Sequence, residues 1–195
     1  MDVTAQNQWG DAPSEIGRGR AERLGYPPAL LDRIPAAALE SFAGVGFFFD
    51  LDVLHSGDSV LDLGCGSGTD MFAAAALVGD HGFVAGLDTS RPELERAARV
   101  CREDGFGNVT PLEGRIEAIP LDDESVDAVI SNGVISLSPE RELALAEAAR
   151  VLRPGGCLAV AEQTPNLDAI EAAGLVVTDV RQSHTSVSVL ARKPD

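Results

Sequence analysis

Residues Val60 to Thr69 read V-L-D-L-G-C-G-S-G-T. Val60–Leu63 has the composition of a short buried strand, and it runs straight into Gly64, Gly66 and Gly68, spaced by two. Glycine takes positive φ and lets a ligand approach the backbone, so this spacing predicts a tight turn that can cradle a small molecule. The Ala-rich stretch Asp70–Val78 follows at once and predicts a helix. A strand, a glycine turn and a helix N-terminus form the first half of a nucleotide-binding βα unit.

Outward from this turn the pattern repeats. Strand patterns cover Val60–Leu63, Gly82–Leu87, Val109–Leu112, Ser125–Ile130 and Cys157–Glu162, and helix patterns cover Asp70–Val78, Pro92–Asp104, Glu140–Leu152 and Asp168–Ala173. The last two strands, Leu175–Arg181 and Ser186–Arg192, are joined by Gln182–Thr185, short enough for an antiparallel hairpin. Alternating β and α with short links predicts an α/β, Rossmann-like fold. Its sheet is mostly parallel and seven-stranded, with helices on both faces and a C-terminal antiparallel hairpin.

Before the glycine turn the chain is different. Met1–Pro13 is polar and is expected to be a mobile arm. Residues 14–195 then form a single domain, with 14–58 as an N-terminal helical lid segment. Helices are expected over Ser14–Leu24 and Pro27–Ile34, and a helical turn over Ala36–Phe42. Gly44–Phe49 reads G-V-G-F-F-F, and three adjacent phenylalanines left exposed would be a liability. Two readings stay open: a lid over the cleft with Tyr26, or plain core packing.

The 195 residues carry 45% apolar side chains and a net charge of −16. The charge repels phosphate backbones and anionic lipid, which argues against nucleic acid and membrane partners. Cys65, Cys101 and Cys157 are odd in number and form no C-x-x-C pair, so neither a disulfide framework nor a zinc site is expected, nor any other metal site. No signal-like segment and no apolar run of about 18 residues is present, which points to the cytoplasm.

The glycine spacing bears on the ligand. A dinucleotide fingerprint, G-x-G-x-x-G, would put its third glycine at Thr69, one residue later than it comes here. Asp62 also stands two residues before Gly64. This D-x-G-x-G-x-G pattern resembles the S-adenosylmethionine (SAM) loop of class I methyltransferases. The resemblance implies that Asp62 and the backbone of Gly64, Cys65 and Gly66 hold the amino-acid end of SAM. A carboxylate suits an ammonium and a sulfonium better than a bare helix dipole does.

Ligands of such sheets sit at the C-terminal edge, at the switch point between the first and fourth strands. Asp88, followed by Thr89, ends the second strand and can accept from both ribose hydroxyls; it can equally cap the next helix. After the third strand, Ile116 can meet the adenine edge through its backbone. Glu117 can substitute for the acid that related enzymes carry where Arg115 stands, or be an ordinary solvated charge. Asn132 ends the fourth strand and offers a donor and an acceptor to the cofactor or the substrate, though Asn before Gly is also a turn signal. Glu162 ends the fifth strand and is the one candidate general base. His55, His81 and His184 fall in loops and read as surface residues.

A second resemblance covers about Gly17 to Glu162. Leu24-Gly25-Tyr26, Ile34-Pro35, Gly44-Val45-Gly46, Ser131 to Glu140 (S-N-G-V-I-S-L-S-P-E) and Arg150 to Gly156 (R-V-L-R-P-G-G) resemble arsenite methyltransferases. The last of these motifs is shared with the ubiquinone and menaquinone enzymes. The arsenite enzymes bind trivalent arsenic through thiolates, as a thiophilic centre requires. The resemblance places two of those cysteines where this chain has Val45 and Gly133. The expectation is therefore methyl transfer from SAM, giving S-adenosylhomocysteine, to a small apolar or aromatic acceptor other than arsenite. Asn132 and Glu162 are the candidate catalytic residues. A non-catalytic SAM-binding regulatory or partner subunit is the alternative.

Overall fold

A sheet whose strands alternate apolar residues on both sides must be covered on both faces, and the computed structural model, which describes residues 15–195, shows how. The strands are β1 (Ser59–Leu63), β2 (Phe83–Asp88), β3 (Val109–Glu113), β4 (Val126–Asn132), β5 (Leu152–Glu162), β6 (Val176–Gln182) and β7 (Val187–Arg192). They form one sheet in the order β3-β2-β1-β4-β5-β7-β6. β1 lies parallel to β2 and β4, β2 to β3, and β4 to β5, while β7 runs antiparallel to both β5 and β6. The expected closing hairpin thus leaves β7 as the one antiparallel strand.

Period two divides the core. Val60, Val84, Ala128, Ile130, Ala159 and Ala161 pack on one face. Leu61, Leu63, Ala85, Leu87, Val129 and Val160 pack on the other. On the first face, helix α4 (Thr69–Val78) buries eight of its ten residues, because α2 (Pro28–Leu31) and α3 (Ala36–Leu39) cover its outer side. A helix buried all round must be apolar all round, and its alanine run lets neighbours approach closely. Helix α5 (Arg91–Asp104) is amphipathic instead and buries Leu94, Ala97 and Val100. Helices α6 (Arg141–Val151) and α7 (Leu167–Ala172) cover the second face.

Boundaries differ from expectation chiefly in the N-terminal segment. Helix α1 runs Arg18–Leu24 rather than from Ser14, since Gly17 breaks it with φ 83° and gives its N–H to the Phe42 carbonyl at 2.9 Å. The arm expected over 1–13 lies outside the described residues. Strand β5 starts five residues early, at Leu152, which pairs with Val126 before a register shift. None of the three cysteines forms a disulfide. Among the described residues no helix is long and apolar enough to cross a membrane.

The R-V-L-R-P-G-G segment has a physical account. Arg150 donates to the Ile119 and Leu121 carbonyls at 2.9 and 2.8 Å, and to Glu147 and Asp123. Arg153 donates to Asp127 and to the Ser125 carbonyl. These forks fasten the loop entering β4. Arg150→Met keeps the stem but frees two carbonyls and Glu147, and should lower the unfolding free energy by about 2–3 kcal/mol, read as a shifted urea midpoint at constant slope.

Candidate active site

The glycine turn is built across two strands. Gly64 and Cys65 both donate to the Leu87 carbonyl, at 2.8 and 3.1 Å, so the turn hangs over the end of β2. Gly66, at φ +53°, has nothing within 4 Å of where a Cβ would stand. Its N–H donates to Asp88 Oδ2 at 2.8 Å, and Asp88 Oδ1 accepts from Ser90 N at 2.7 Å. Asp88 therefore braces the turn and still has two acceptor sites to offer. It bonds the N–H two residues on rather than capping α5, whose N-cap is Ser90. Thr89 is exposed at the rim.

Asp62 lies on β1 below this turn with 2% exposure, and its Oδ2 has no hydrogen-bond partner. Burial, followed by the nearby Asp70 and Asp88 carboxylates, pushes its carboxyl well above the usual range, against a bond from the Met71 backbone. Asp70, in the first turn of α4, accepts from the Tyr26 hydroxyl and from Asn132 Nδ2 at 2.9 Å. Burial raises its pKa to about 6, opposed by those two bonds. The sequence reading missed Asp70, because an acid in a first helical turn passes for an ordinary dipole partner. Burial, then the Asp62 and Asp88 carboxylates, also raise the Cys65 thiol, so Cys65 packs as a neutral side chain.

Asn132 is the hub of the N-terminal segment. Its Oδ1 accepts from Val45 N at 2.7 Å and Gly46 N at 3.2 Å, and its Nδ2 donates to the Gly46 carbonyl at 3.0 Å as well as to Tyr26 and Asp70. Both lone pairs and both N–H groups are engaged, so in this arrangement the amide holds the chain. Arg20 adds a bond to the Gly44 carbonyl at 2.6 Å, and Ser188 one to the Phe47 carbonyl at 2.9 Å. Ser67 and Thr69 both reach the Ala38 carbonyl, at 2.9 and 2.7 Å. Residues 38–47 are thus a strap sewn across the C-terminal edge of the sheet. Phe48 is wholly buried, whereas Phe47 and Phe49 are half-buried against Tyr26. The strap and the core share the three rings.

Glu162 does not join this group. Asn132 pairs with Ala161, so alternation turns Glu162 to the opposite face. There, 3% exposed, it accepts from Ile135 N at 2.9 Å and Ser136 Oγ at 2.6 Å and anchors the 3₁₀ turn Ile135–Leu137. The carboxyl expected as a base is a turn anchor in this arrangement. Ile116 is buried in the second-face core. Glu117 is not a solvated helix charge: it lies in a loop, accepts from the Ser138 hydroxyl and sits 3.3 Å from Arg115. Burial pushes its carboxyl up, but Ser138, a backbone N–H and Arg115 outweigh it and hold it low.

Val45 and Gly133 lie against each other. A Cβ on Gly133, at φ +76°, would stand 3.0 Å from Val45 Cγ1. An isopropyl group over a bare α-carbon therefore occupies the two positions where the resemblance puts thiols. Among the described residues no cluster of His, Cys, Asp or Glu could hold a metal ion.

The cradle fits S-adenosylmethionine. A buried carboxylate oxygen without a donor wants a cation, Gly66 leaves open space beside it, and Asp88 has acceptors to spare.

Comparison with known proteins agrees. The chain is 36% identical over 162 residues to the arsenite methyltransferase of Halobacterium salinarum, covering 83% of this chain and 41% of that protein. It is 44% identical over 134 residues to that of Aquipseudomonas alcaligenes, covering 65% and 38%. It spans about two fifths of the length of these curated relatives. An arsenic(III) S-adenosylmethionine methyltransferase from Chlamydomonas reinhardtii superposes with a TM-score of 0.68 at 29% identity, covering 87% of this chain and 74% of that one. Residues 54–187 match the methyltransferase-domain family, and with the sheet order and the glycine turn this establishes that the chain belongs to the class I SAM-dependent methyltransferases.

Proposed function

We propose that this protein transfers a methyl group from SAM to a small apolar or aromatic acceptor that is not trivalent arsenic. The observation that carries the reading is the orphaned Asp62 oxygen, buried beside an open glycine turn at the β1/β4 switch point. SAM supplies a methyl carbon made electrophilic by its sulfonium. Asp62 holds the positive end, the turn and Asp88 fix the nucleoside end, and the strap excludes water from the space between. Glu162 faces away, so the acceptor reaching this cradle is one that needs no general base, such as a thiolate or a stabilised carbanion.

The acceptor side speaks against arsenic. Val45 over Gly133 presents hydrocarbon where two thiolates would be needed. Cys65 and Cys157 are buried, and Cys101 lies on α5. Purified protein with SAM, arsenite and excess thiol is expected to release no S-adenosylhomocysteine above the rate without arsenite. A panel of apolar thiols and acidic carbon acceptors is expected to yield turnover. Methylated arsenic among the products would overturn the acceptor assignment. Tight SAM binding with no turnover on any acceptor would favour the alternative, a SAM-binding regulatory or partner subunit.

A further inference from the structure

Beneath the strap lies a site made almost wholly of acids. Asp62 comes from β1, Asp70 from α4 and Asp88 from β2. The other titratable groups facing them are the Cys65 thiol of the glycine turn, which Glu93 of α5 also acts on, and the Tyr26 hydroxyl, and Asn132 of β4 is neutral. Among the described residues no lysine, arginine or histidine forms an ion pair with any of these three aspartates. Arg20, on α1, gives its Nε to the Gly44 carbonyl of the strap. Two buried carboxylates without a counter-ion cannot both ionise cheaply.

The hydrogen bonds say which oxygen takes the proton. Asp70 has a donor on each oxygen, Tyr26 on one and Asn132 on the other, an arrangement suited to its charged form. Asp62 Oδ2 has no partner at all, and a neutral carboxyl is cheaper than a charge to leave unmatched there. We propose that the Asp62–Asp70 pair keeps one proton while the cofactor is absent and releases it as the positive end of the cofactor enters, so that cofactor binding and deprotonation are a single event. The proposal rests on the reading of this cradle as the SAM site. The incoming cation supplies the missing counter-charge and a donor for Asp62 Oδ2, and the proton passes from the carboxyl to solvent. Acid then competes with the cofactor: affinity falls as pH drops and levels off once the empty pair is already ionised. The raised proton affinity of both aspartates agrees in direction.

The test is calorimetric titration of the whole chain with S-adenosylhomocysteine, which keeps the ammonium and has no methyl to transfer. Between pH 5 and 6.5 the ligand's own amino group is charged throughout. In buffers of different ionisation enthalpy at pH 6, the apparent binding enthalpy should report release approaching one proton per ligand. Over that interval the affinity should weaken by up to about tenfold per pH unit lost. Tyr26→Phe removes a bond that favours charged Asp70, so the release profile should move to higher pH. Asp70→Asn removes a neighbouring carboxylate and leaves burial as the main cause of Asp62's raised proton affinity, so its release profile should move to lower pH, which keeps the test decisive if the tyrosine variant fails to fold. Binding with a buffer-independent enthalpy and flat affinity would overturn the proposal while leaving the SAM site standing. A release profile unchanged in Asp70→Asn would also overturn it, since the two carboxyls would then not share the proton. No binding at any pH would overturn the cofactor reading itself.

Discussion

Asn132→Ala is expected to lower the unfolding free energy by about 3 kcal/mol and to loosen the strap over residues 44–47. The change strips the Val45 and Gly46 N–H groups of their acceptor and the Gly46 carbonyl, Tyr26 and Asp70 of a donor. The three backbone groups on the strap can turn to water if it lifts, which keeps the loss below the sum of five bonds. Asp70 gains no such relief, because it is buried in the first turn of α4. Urea unfolding gives the energy, and proteolysis at Phe47 and Phe49 reports the strap. A loss under about 1 kcal/mol with unchanged cleavage would mean that the amide is a bystander. Asn132→Asp sharpens the argument. It keeps the acceptor for the two N–H groups but turns an oxygen towards Asp70 Oδ2 and the Gly46 carbonyl. Protonating that oxygen restores a donor, so the folded state binds this proton more tightly than the unfolded chain does. The stability it supports is present at low pH and lost as pH rises, so the aspartate variant should draw nearer to the parent at pH 5 than at pH 8.

The sheet was legible because its signals are local. Val60–Leu63, the three glycines and the alternation of strand and helix patterns each need only neighbouring residues, and together they lead to the observed seven-stranded, mostly parallel sheet. The site was half legible. Asp62 and Asp88 could be placed because a glycine turn and a strand end fix where backbone and carboxylate meet. Asn132 and Glu162 could not be assigned from the sequence, because both end strands and look equivalent until β4 and β5 are in register. The pairing of Asn132 with Ala161 then puts the two side chains on opposite faces. The strap was beyond reach for a different reason. Its bonds join Asn132 to residues 86 and 87 positions earlier, and Tyr26 to Asp70 across 44, with no periodic signal at either end. The contact of Val45 with Gly133 is equally long-range, and only a folded chain shows that the two lost thiol positions are one place.

Asp88→Ala is expected to weaken S-adenosylhomocysteine binding by about 100- to 1,000-fold, the loss of two charge-assisted hydrogen bonds of roughly 1.5–3 kcal/mol each, less what water recovers. The geometry allows two causes. One is direct: the acceptor sites left free by Gly66 and Ser90 receive the ribose hydroxyls. The other is indirect: without the carboxylate the Gly66 N–H has no partner, the turn relaxes, and the whole cradle loosens. Asp88→Asn separates them in part, since its amide oxygen still braces Gly66 but accepts without charge and the Ser90 N–H loses its acceptor, so a loss of about tenfold, smaller than for alanine, is expected. A cycle in ligand and protein separates them fully. The ligand lacking both ribose hydroxyls binds the parent more weakly than S-adenosylhomocysteine does. If the carboxylate touches the hydroxyls, Asp88→Ala costs that ligand little, and the coupling reaches about 2 kcal/mol or more. If the carboxylate acts only through Gly66, the alanine costs both ligands equally and the coupling is near zero. The acceptors remaining on Asp88 after its two backbone bonds favour the first outcome, because a half-buried carboxylate at the end of β2 has no other donor to meet among the described residues.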